Sequence, residues 1–176
     1  MFNNGDSCKD LSINLRLNPV MPASRPITRE VVDAFYRAMI DRDPVRLDRY
    51  LDDSVTWTIS GPVEALPFCG RHVGKVATMD VIMRLVPSVL ATRDFVIDMQ
   101  LVDGDCASVL ARLRGTHPCG RMISYRISHF MRFRGEKVVE FMAVLDSFDA
   151  AEQISGHHFG LPKHDAPATS DDIVAL

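Results

Sequence analysis

The chain has 176 residues, of which 47% are hydrophobic, and a formal net charge of -3. It is long enough for one domain with a buried core, and it has no large basic excess of the kind that nucleic-acid binding needs. No apolar run approaches the roughly 20 residues that span a bilayer, so we expect no membrane segment. The four cysteines lack the CxxC spacing of zinc sites, so we expect free thiols, no metal and no cofactor.

The two ends of the chain differ in composition from its middle. Residues 1–26 are polar and punctuated by Pro19, Pro22 and Pro26, and Met21 leaves open where translation begins. Residues 156–176 form a polar tail without periodicity. We therefore predict one domain over residues 27–155 between a flexible extension and a tail. No basic segment followed by an apolar stretch opens the chain, so we expect a cytoplasmic protein.

Two helices are predicted before the first strand. Thr28 suits an N-cap, and an apolar stripe at helical spacing follows it, comprising Val32, Phe35 and Met39. Asp43 and Pro44 are typical of the cap and first residue of a second, short helix that continues to Leu51.

The segment 55–60 alternates between apolar and polar residues, with the single tryptophan, Trp57, on the apolar side. A glycine-rich loop over residues 62–74 follows. It leads into a third helix that we expect to run to Val86 and to be ended by Pro87.

The rest of the chain reads as an antiparallel meander. Segments near 95–101, 107–113, 125–133 and 137–146 alternate in hydropathy and are separated by turns, before a short helix at 148–154. Helices followed by a meander predict the α+β class. We expect a cone-shaped cup in which three N-terminal helices pack on a curved, mostly antiparallel sheet around an apolar pocket.

His129 is the first candidate functional residue, because it lies on the apolar face of its strand between Ile127 and Met131. A histidine facing a pocket can donate, accept or shuttle a proton. The alternative is a core histidine that is hydrogen-bonded to a neighbour.

Asp146 is the second candidate, because it ends the last strand directly after an apolar run. A carboxylate among apolar neighbours has a raised pKa and can serve as a base. Its alternative role is the N-cap of the following helix. Tyr36 and Trp57 either line the pocket or belong to the core, and the hydroxyl of Tyr36 is placed to reach the cavity.

Several short segments share a pattern with a known family. They are Phe35-Tyr36-Arg-Ala, Asp52-Asp53-Ser-Val-Thr-Trp57, Pro67-Phe-Cys-Gly-Arg-His-Val-Gly74 and Arg132-Phe-Arg-Gly-Glu-Lys-Val138, followed by Asp146 and Gln153. Over residues 28–155 the chain resembles the SnoaL-like branch of the nuclear transport factor 2-like superfamily. Ketosteroid isomerase, scytalone dehydratase and limonene epoxide hydrolase share that fold, which also hosts cyclases and non-enzymes.

The resemblance implies roles for individual residues. Asp146 corresponds to the acid/base aspartate of SnoaL-type cyclases, while Tyr36 and His129 fall at the oxyanion-hole positions of ketosteroid isomerase. The isomerase's general base would fall near Thr58, and the arginine–aspartate spacing of the epoxide hydrolase is absent at Arg112. The implied pocket wall comprises Phe35, Trp57, Phe68, Tyr125 and Met131.

Two classes of function follow from this resemblance. The first is an isomerase-, cyclase- or dehydratase-type enzyme in which Asp146 removes a proton next to a carbonyl and His129, with Tyr36, stabilises the oxygen. The second is a binding or assembly module with no chemistry, of which the small subunit of a larger complex is one form. In either case we expect a small apolar organic ligand, no nucleic-acid partner and a homodimer through the outer face of the sheet.

Overall fold

The computed structural model describes residues 26–160. The predicted N-terminal extension and most of the predicted tail lie outside the described residues. Within them, five α-helices, one π-helical turn and one six-stranded sheet form a single α+β unit, with the helices on one side of the sheet. None of the described helices is both long enough and apolar enough to cross a membrane.

Two of the helical segments begin at an aspartate whose side chain caps the helix. The helical segments are α1 (Arg29–Ile40), α2 (Pro44–Tyr50), α3 (Lys75–Asp80), a π-helical turn (Val81–Leu85), α4 (Val86–Val89) and α5 (Ser147–Ser155). At the start of α2, the Asp43 carboxylate accepts hydrogen bonds from the backbone N–H groups of Val45 and Arg46, both at 3.0 Å. These bonds satisfy amides that the helix itself leaves without partners.

The third predicted helix differs from its prediction in two respects. Pro87 does not end it, because Pro87 lies in the first turn of α4, where a missing N–H costs little. The π-helical turn also rotates the buried side of the segment. Along the segment 75–89, Val76 is 86% exposed, while Thr78, Val81 and Ile82 are buried.

The sheet is mostly antiparallel, as predicted. Its strands are β1 (Leu51–Ile59), β2 (Gly70–Val73), β3 (Ala91–Asp103), β4 (Cys106–Thr116), β5 (Met122–Arg134) and β6 (Lys137–Leu145), in the spatial order β2-β1-β6-β5-β4-β3. The β1–β6 pair is parallel. Strand β2 is an addition to the prediction, because part of the glycine-rich loop pairs with β1, with His72 opposite Trp57.

The curvature of the sheet leaves a concave side that the helices cover. Register shifts interrupt the β3–β4 pairing and the β1–β6 pairing, and such bulges bend and twist strands. The concave side carries the core residues of β1, β4, β5 and β6, against which α1 and the segment 75–89 pack. We call the space between this side of the sheet and the helices the cup, and it confirms the predicted fold class.

Candidate functional site

A cavity lies inside the cup. Its volume is about 110 Å³, and its wall is almost entirely apolar. The wall comprises Met39, Ile40, Arg42, Trp57, Ile59, Phe68, Val81, Ile82, Val86, Thr92, Phe95, Leu113, Tyr125, Ile127, His129, Phe141 and Ala143. This volume is below the roughly 300–1,000 Å³ of pockets for drug-sized ligands, so the cavity suits a smaller molecule.

Two polar side chains meet beside this cavity: His129 lines it, whereas Tyr36 is buried next to His129 and does not line the cavity. Helix α1 supplies Tyr36 and the middle of β5 supplies His129, 93 positions later in the chain. The Tyr36 hydroxyl lies 2.7 Å from Nδ1 of His129, and the two rings are nearly parallel with centroids 5.8 Å apart. Only 4% of His129 is exposed. A buried hydrogen bond of this length fixes both side chains in one arrangement.

Burial keeps both members of this pair uncharged. It lowers the pKa of His129 to about 3, because the imidazolium would lose its hydration, and it raises the pKa of Tyr36. Among the described residues, the Tyr36 hydroxyl has no other acceptor than Nδ1 of His129. We therefore assign the hydroxyl as donor to Nδ1, which places the ring proton of His129 on Nε2. Nε2 forms no hydrogen bond within residues 26–160 and remains an available donor.

Aromatic rings surround the pair. Phe141 on β6 stacks on Trp57 of β1 with centroids 3.5 Å apart, and it also contacts His129 at 4.7 Å. Phe95 on β3 stacks against both members of the pair, with ring centroids 5.7 Å from Tyr36 and 6.1 Å from His129. These rings keep the dielectric around His129 low, which strengthens any hydrogen bond that its Nε2 makes to a ligand.

The predicted wall residues divide into two groups. Trp57, Phe68 and Tyr125 line the cavity. Phe35 and Met131 do not line it, although both are buried. Phe35 instead packs edge-on against Tyr36 and Trp57, with centroids 5.5 and 6.4 Å apart, so it supports the wall from behind.

Asp146 lies elsewhere than we expected. Its side chain is exposed, it is absent from the cavity wall, and it caps α5 by accepting a hydrogen bond from the Asp149 N–H at 3.1 Å. On β6 the buried residues that face the cup are Phe141, Ala143 and Leu145, so the alternate positions point outwards. Strand β6 is apolar on both faces. Its hydropathy therefore could not show which set of alternate residues faces the cup.

Among the wall residues that the sequence analysis missed, three bear on the chemistry of the site. Phe141 and Phe95 are the aromatic neighbours of His129, and Arg42 adds a cation to the wall. Alternation alone would have placed Phe95 and Phe141 on one face of their strands, but it could not say which residue they meet. Arg42 falls between two helices, where the pattern carries no signal.

The described cavity wall contains no cysteine. The thiol of Cys69 is buried, and its burial raises its pKa to about 11, so it stays protonated. No three His, Cys, Asp or Glu side chains within residues 26–160 are grouped closely enough to hold a metal ion. The Tyr36–His129 pair is thus the polar feature around which the candidate site is organised.

The fold and the cavity define a class of protein, a one-domain α+β cup with a buried polar pair facing an apolar interior. The model of the SnoaL-like domain matches residues 32–141, so the chain belongs to the SnoaL-like family of the nuclear transport factor 2-like superfamily. No curated protein matches the sequence significantly.

Solved structures share this fold. A putative isomerase from Rhodopseudomonas palustris is 29% identical, with a TM-score of 0.69, and the match covers 74% of this chain and all of that one. A nuclear transport factor 2-like protein of unknown function from Burkholderia pseudomallei is 24% identical over 72% of this chain and 95% of its own, with a TM-score of 0.65. A hypothetical protein from Catenulispora acidiphila, solved in complex with trimethylamine, is 16% identical over 77% of this chain and 100% of its own, with a TM-score of 0.61.

Proposed function

We propose that this protein binds a small, mostly apolar organic molecule that carries a carbonyl oxygen, and that Nε2–H of His129 donates a hydrogen bond to that oxygen. The observation that carries the proposal is the buried Tyr36–His129 hydrogen bond at the wall of an apolar cavity. It orients the imidazole and leaves Nε2–H of His129 without a hydrogen-bond partner within residues 26–160. A donor that faces an apolar cavity without a partner gains a hydrogen bond when a ligand oxygen enters.

Because His129 is neutral and weakly basic, it is better suited to donate a hydrogen bond to a ligand than to remove a proton from it. With a pKa of about 3, the imidazole is a weak base at neutral pH, but its N–H remains a good donor in a low-dielectric site. No carboxylate belongs to the cavity wall that the structure describes. The cavity therefore offers a place to hold and polarise a carbonyl, without an evident base beside it.

A matched pair of probes tests this proposal. 2-Tetralone and tetralin share one two-ring skeleton, and only the ketone can accept a hydrogen bond. Calorimetric titration should give about a five- to tenfold tighter Kd for the ketone, as one net hydrogen bond predicts. His129→Phe should remove this preference, whereas Asp146→Asn should keep it. Binding of neither probe, or an equal preference in wild type and His129→Phe, would refute the proposal.

A second candidate function is isomerase-type proton transfer at the same site. It is favoured by the 29% identity to the putative isomerase and by the placement of a titratable pair against the cavity. In that case Nε2 of His129 would polarise the ketone and so acidify the adjacent C–H. Proton transfer would then pass to a water molecule or to the ligand's own groups, because the described wall contains no carboxylate.

Proton exchange separates the two candidates. The α-protons of 2-tetralone exchange with D₂O, and NMR measures the rate. An enzyme of this type should accelerate exchange well above the buffer rate, and His129→Phe should abolish that acceleration. Binding of the ketone without faster exchange leaves the binding function in place. Loss of exchange in Asp146→Asn would restore the role that we first assigned to Asp146.

We also propose that two copies of the chain associate through the outer face of the sheet. Phe130 and Met142 are paired across β5 and β6 on this face and are 48% and 42% exposed. The ion pairs Arg112–Asp98 and Arg132–Glu140 flank this apolar centre. An apolar centre with both charge signs at its edge is self-complementary, as a twofold interface requires.

A further inference from the structure

We propose that the ligand of the cup is an anion, a mostly apolar molecule with a carboxylate that pairs with Arg42 where the cavity opens to solvent. This inference rests on the proposed binding function and specifies the class of ligand. It starts from the wall of the cavity. Arg42 is the one Arg or Lys side chain in that wall, and the wall contains no Asp or Glu, so an entering anion meets attraction without opposing charge.

The location of Arg42 places it at the opening. Most of the wall is buried, but Ile40 is exposed, and Met39, Arg42, Val86, Thr92 and Phe95 are half-buried. Arg42 therefore belongs to the part of the wall that is accessible to solvent. His129, by contrast, lies in the buried part of the wall. A ligand with its carbonyl oxygen at His129 would extend its other end towards Arg42.

The guanidinium of Arg42 is free of the two carboxylates next to it in the chain. Asp41 and Asp43 both pair with Arg46 instead, at 2.8 Å and 2.6 Å. Within residues 26–160, Arg42 has no ion pair and its side chain makes no hydrogen bond. Its charge is therefore available to a ligand, and the planar guanidinium suits two-point binding of a carboxylate.

The backbone conformation at Arg42 indicates that its side chain has a function. Its φ is +50°, and it is the one residue other than glycine with positive φ in the described chain. Arginine rarely adopts this conformation, which asparagine or glycine would adopt at lower cost. Hydrogen bonds from Arg42 N to Met39 O at 3.2 Å and from Asp43 N to Ala38 O at 3.1 Å hold the turn. Strain that is retained where a cheaper residue would fit points to a function of the side chain.

The test compares one acid with its own amide. 4-Oxo-4-phenylbutanoate carries a ketone and a carboxylate, and 4-oxo-4-phenylbutanamide differs only in the charge. Calorimetric titration of the full chain at pH 7.5 and low salt should give a Kd at least about fivefold tighter for the acid. This preference should shrink as salt is added, because the site opens to solvent.

Two variants assign the preference to one side chain. Arg42→Asn removes the charge and keeps a residue that tolerates positive φ, so the variant should fold and bind both compounds with nearly equal Kd. Arg37→Gln removes an equal charge from the exposed side of α1, outside the cavity wall, and should retain the preference.

Each outcome decides a separate point. Equal binding of acid and amide by the wild type overturns the role of Arg42 but leaves the proposed binding function standing. A preference that survives in Arg42→Asn, or disappears in Arg37→Gln, also overturns it, because the charge then acts from elsewhere. If neither compound nor 2-tetralone binds the folded protein, the proposed function itself fails.

Discussion

At the scale of the residue, burial determines the protonation state of His129. The sequence placed it on an apolar strand face, and the structure surrounds it with Tyr36, Phe95 and Phe141. Desolvation lowers its pKa to about 3, so the folded protein holds it neutral at any physiological pH. This histidine therefore does not act as a pH switch near neutrality, and its cost to the fold appears in acid.

The stability of the protein should fall between pH 6.5 and pH 5. Unfolded histidine has a pKa near 6.5, so the unfolded chain binds a proton in this range that folded His129 does not bind. The free energy of unfolding should be independent of this group above about pH 6.5 and fall by up to about 1.4 kcal/mol for each pH unit from there down to about pH 3, where folded His129 also takes up a proton. Urea unfolding at pH 7.5, 6 and 5 measures the slope.

The matched control removes the whole pair. Tyr36→Phe together with His129→Phe replaces both polar groups by apolar rings of similar size, so no buried group is left without a partner. The double variant should lose the part of the pH slope that His129 contributes. An unchanged slope would show that other groups cause the acid sensitivity.

At the scale of the element, interruptions in regular structure decide which side chains face the cup. On β3 a register shift between Ile97 and Met99 reverses the alternation, so Gln100 becomes buried while Met99 and Leu101 are exposed. The buried side-chain amide of Gln100 has a hydrogen-bond partner, since its Nε2 donates to Arg29 O at 3.5 Å. A bulge of this kind adds one residue to a strand and exchanges its two faces.

The close packing of Gly115 against the junction between α4 and β3 can be tested by substitution. Gly115 of β4 packs so tightly there that an added Cβ would lie 2.4 Å from Leu90 Cδ1 and 2.7 Å from the carbonyl oxygen of Ala91. Because the carbonyl belongs to the backbone, Gly115→Ala should cost about 1–3 kcal/mol of unfolding free energy. Thermal or urea unfolding measures this loss. Gly160→Ala is the control, since nothing lies within 4 Å of its added Cβ; equal stability of the two variants would contradict the prediction.

At the scale of the whole molecule, the sheet separates two surfaces with different uses. Its concave side encloses the cavity, and its outer side carries the exposed pair Phe130 and Met142 between ion pairs. Contiguous apolar residues on an outer surface commonly mark an interface. The proposed dimer would cover this side and leave the opening near Arg42, on the helical side, accessible to ligand.

The proposed dimer predicts a change in mass on substitution. The wild-type protein should sediment with twice the mass of one chain, and Phe130→Asp combined with Met142→Asp should yield monomers, because charges would be buried without partners. Val76→Asp on α3 should remain dimeric, since Val76 is exposed but does not belong to the sheet. A wild-type monomer at micromolar concentration, or a dimer that survives the double substitution, would contradict the interface.

The sequence by itself determined the class of fold and the local elements. Helix caps such as Asp43, the stripe of α1 and the alternation around Trp57 and His129 are short-range patterns, and they predicted the helices, the meander and the curved α+β sheet. They also marked His129 and Tyr36 as separate candidate residues, while the family resemblance implied that the two belong to one site. These features could be predicted because the periodicity of a helix or a strand is visible in residues that are close together in the sequence.

Only the tertiary structure decided which residues meet in the cup. β6 is apolar on both faces, so pairing with its neighbours, and not hydropathy, turned Phe141 inwards and left Asp146 to cap α5. The hydrogen bond of Tyr36 to His129 depends on a contact that is distant in sequence. The position of Arg42, whose neighbours Asp41 and Asp43 pair with Arg46, depends on the conformation of a single turn. Sequence patterns with a period of two or 3.6 residues predict which side of a strand or helix is buried. They do not predict which residues of other elements pack against that side.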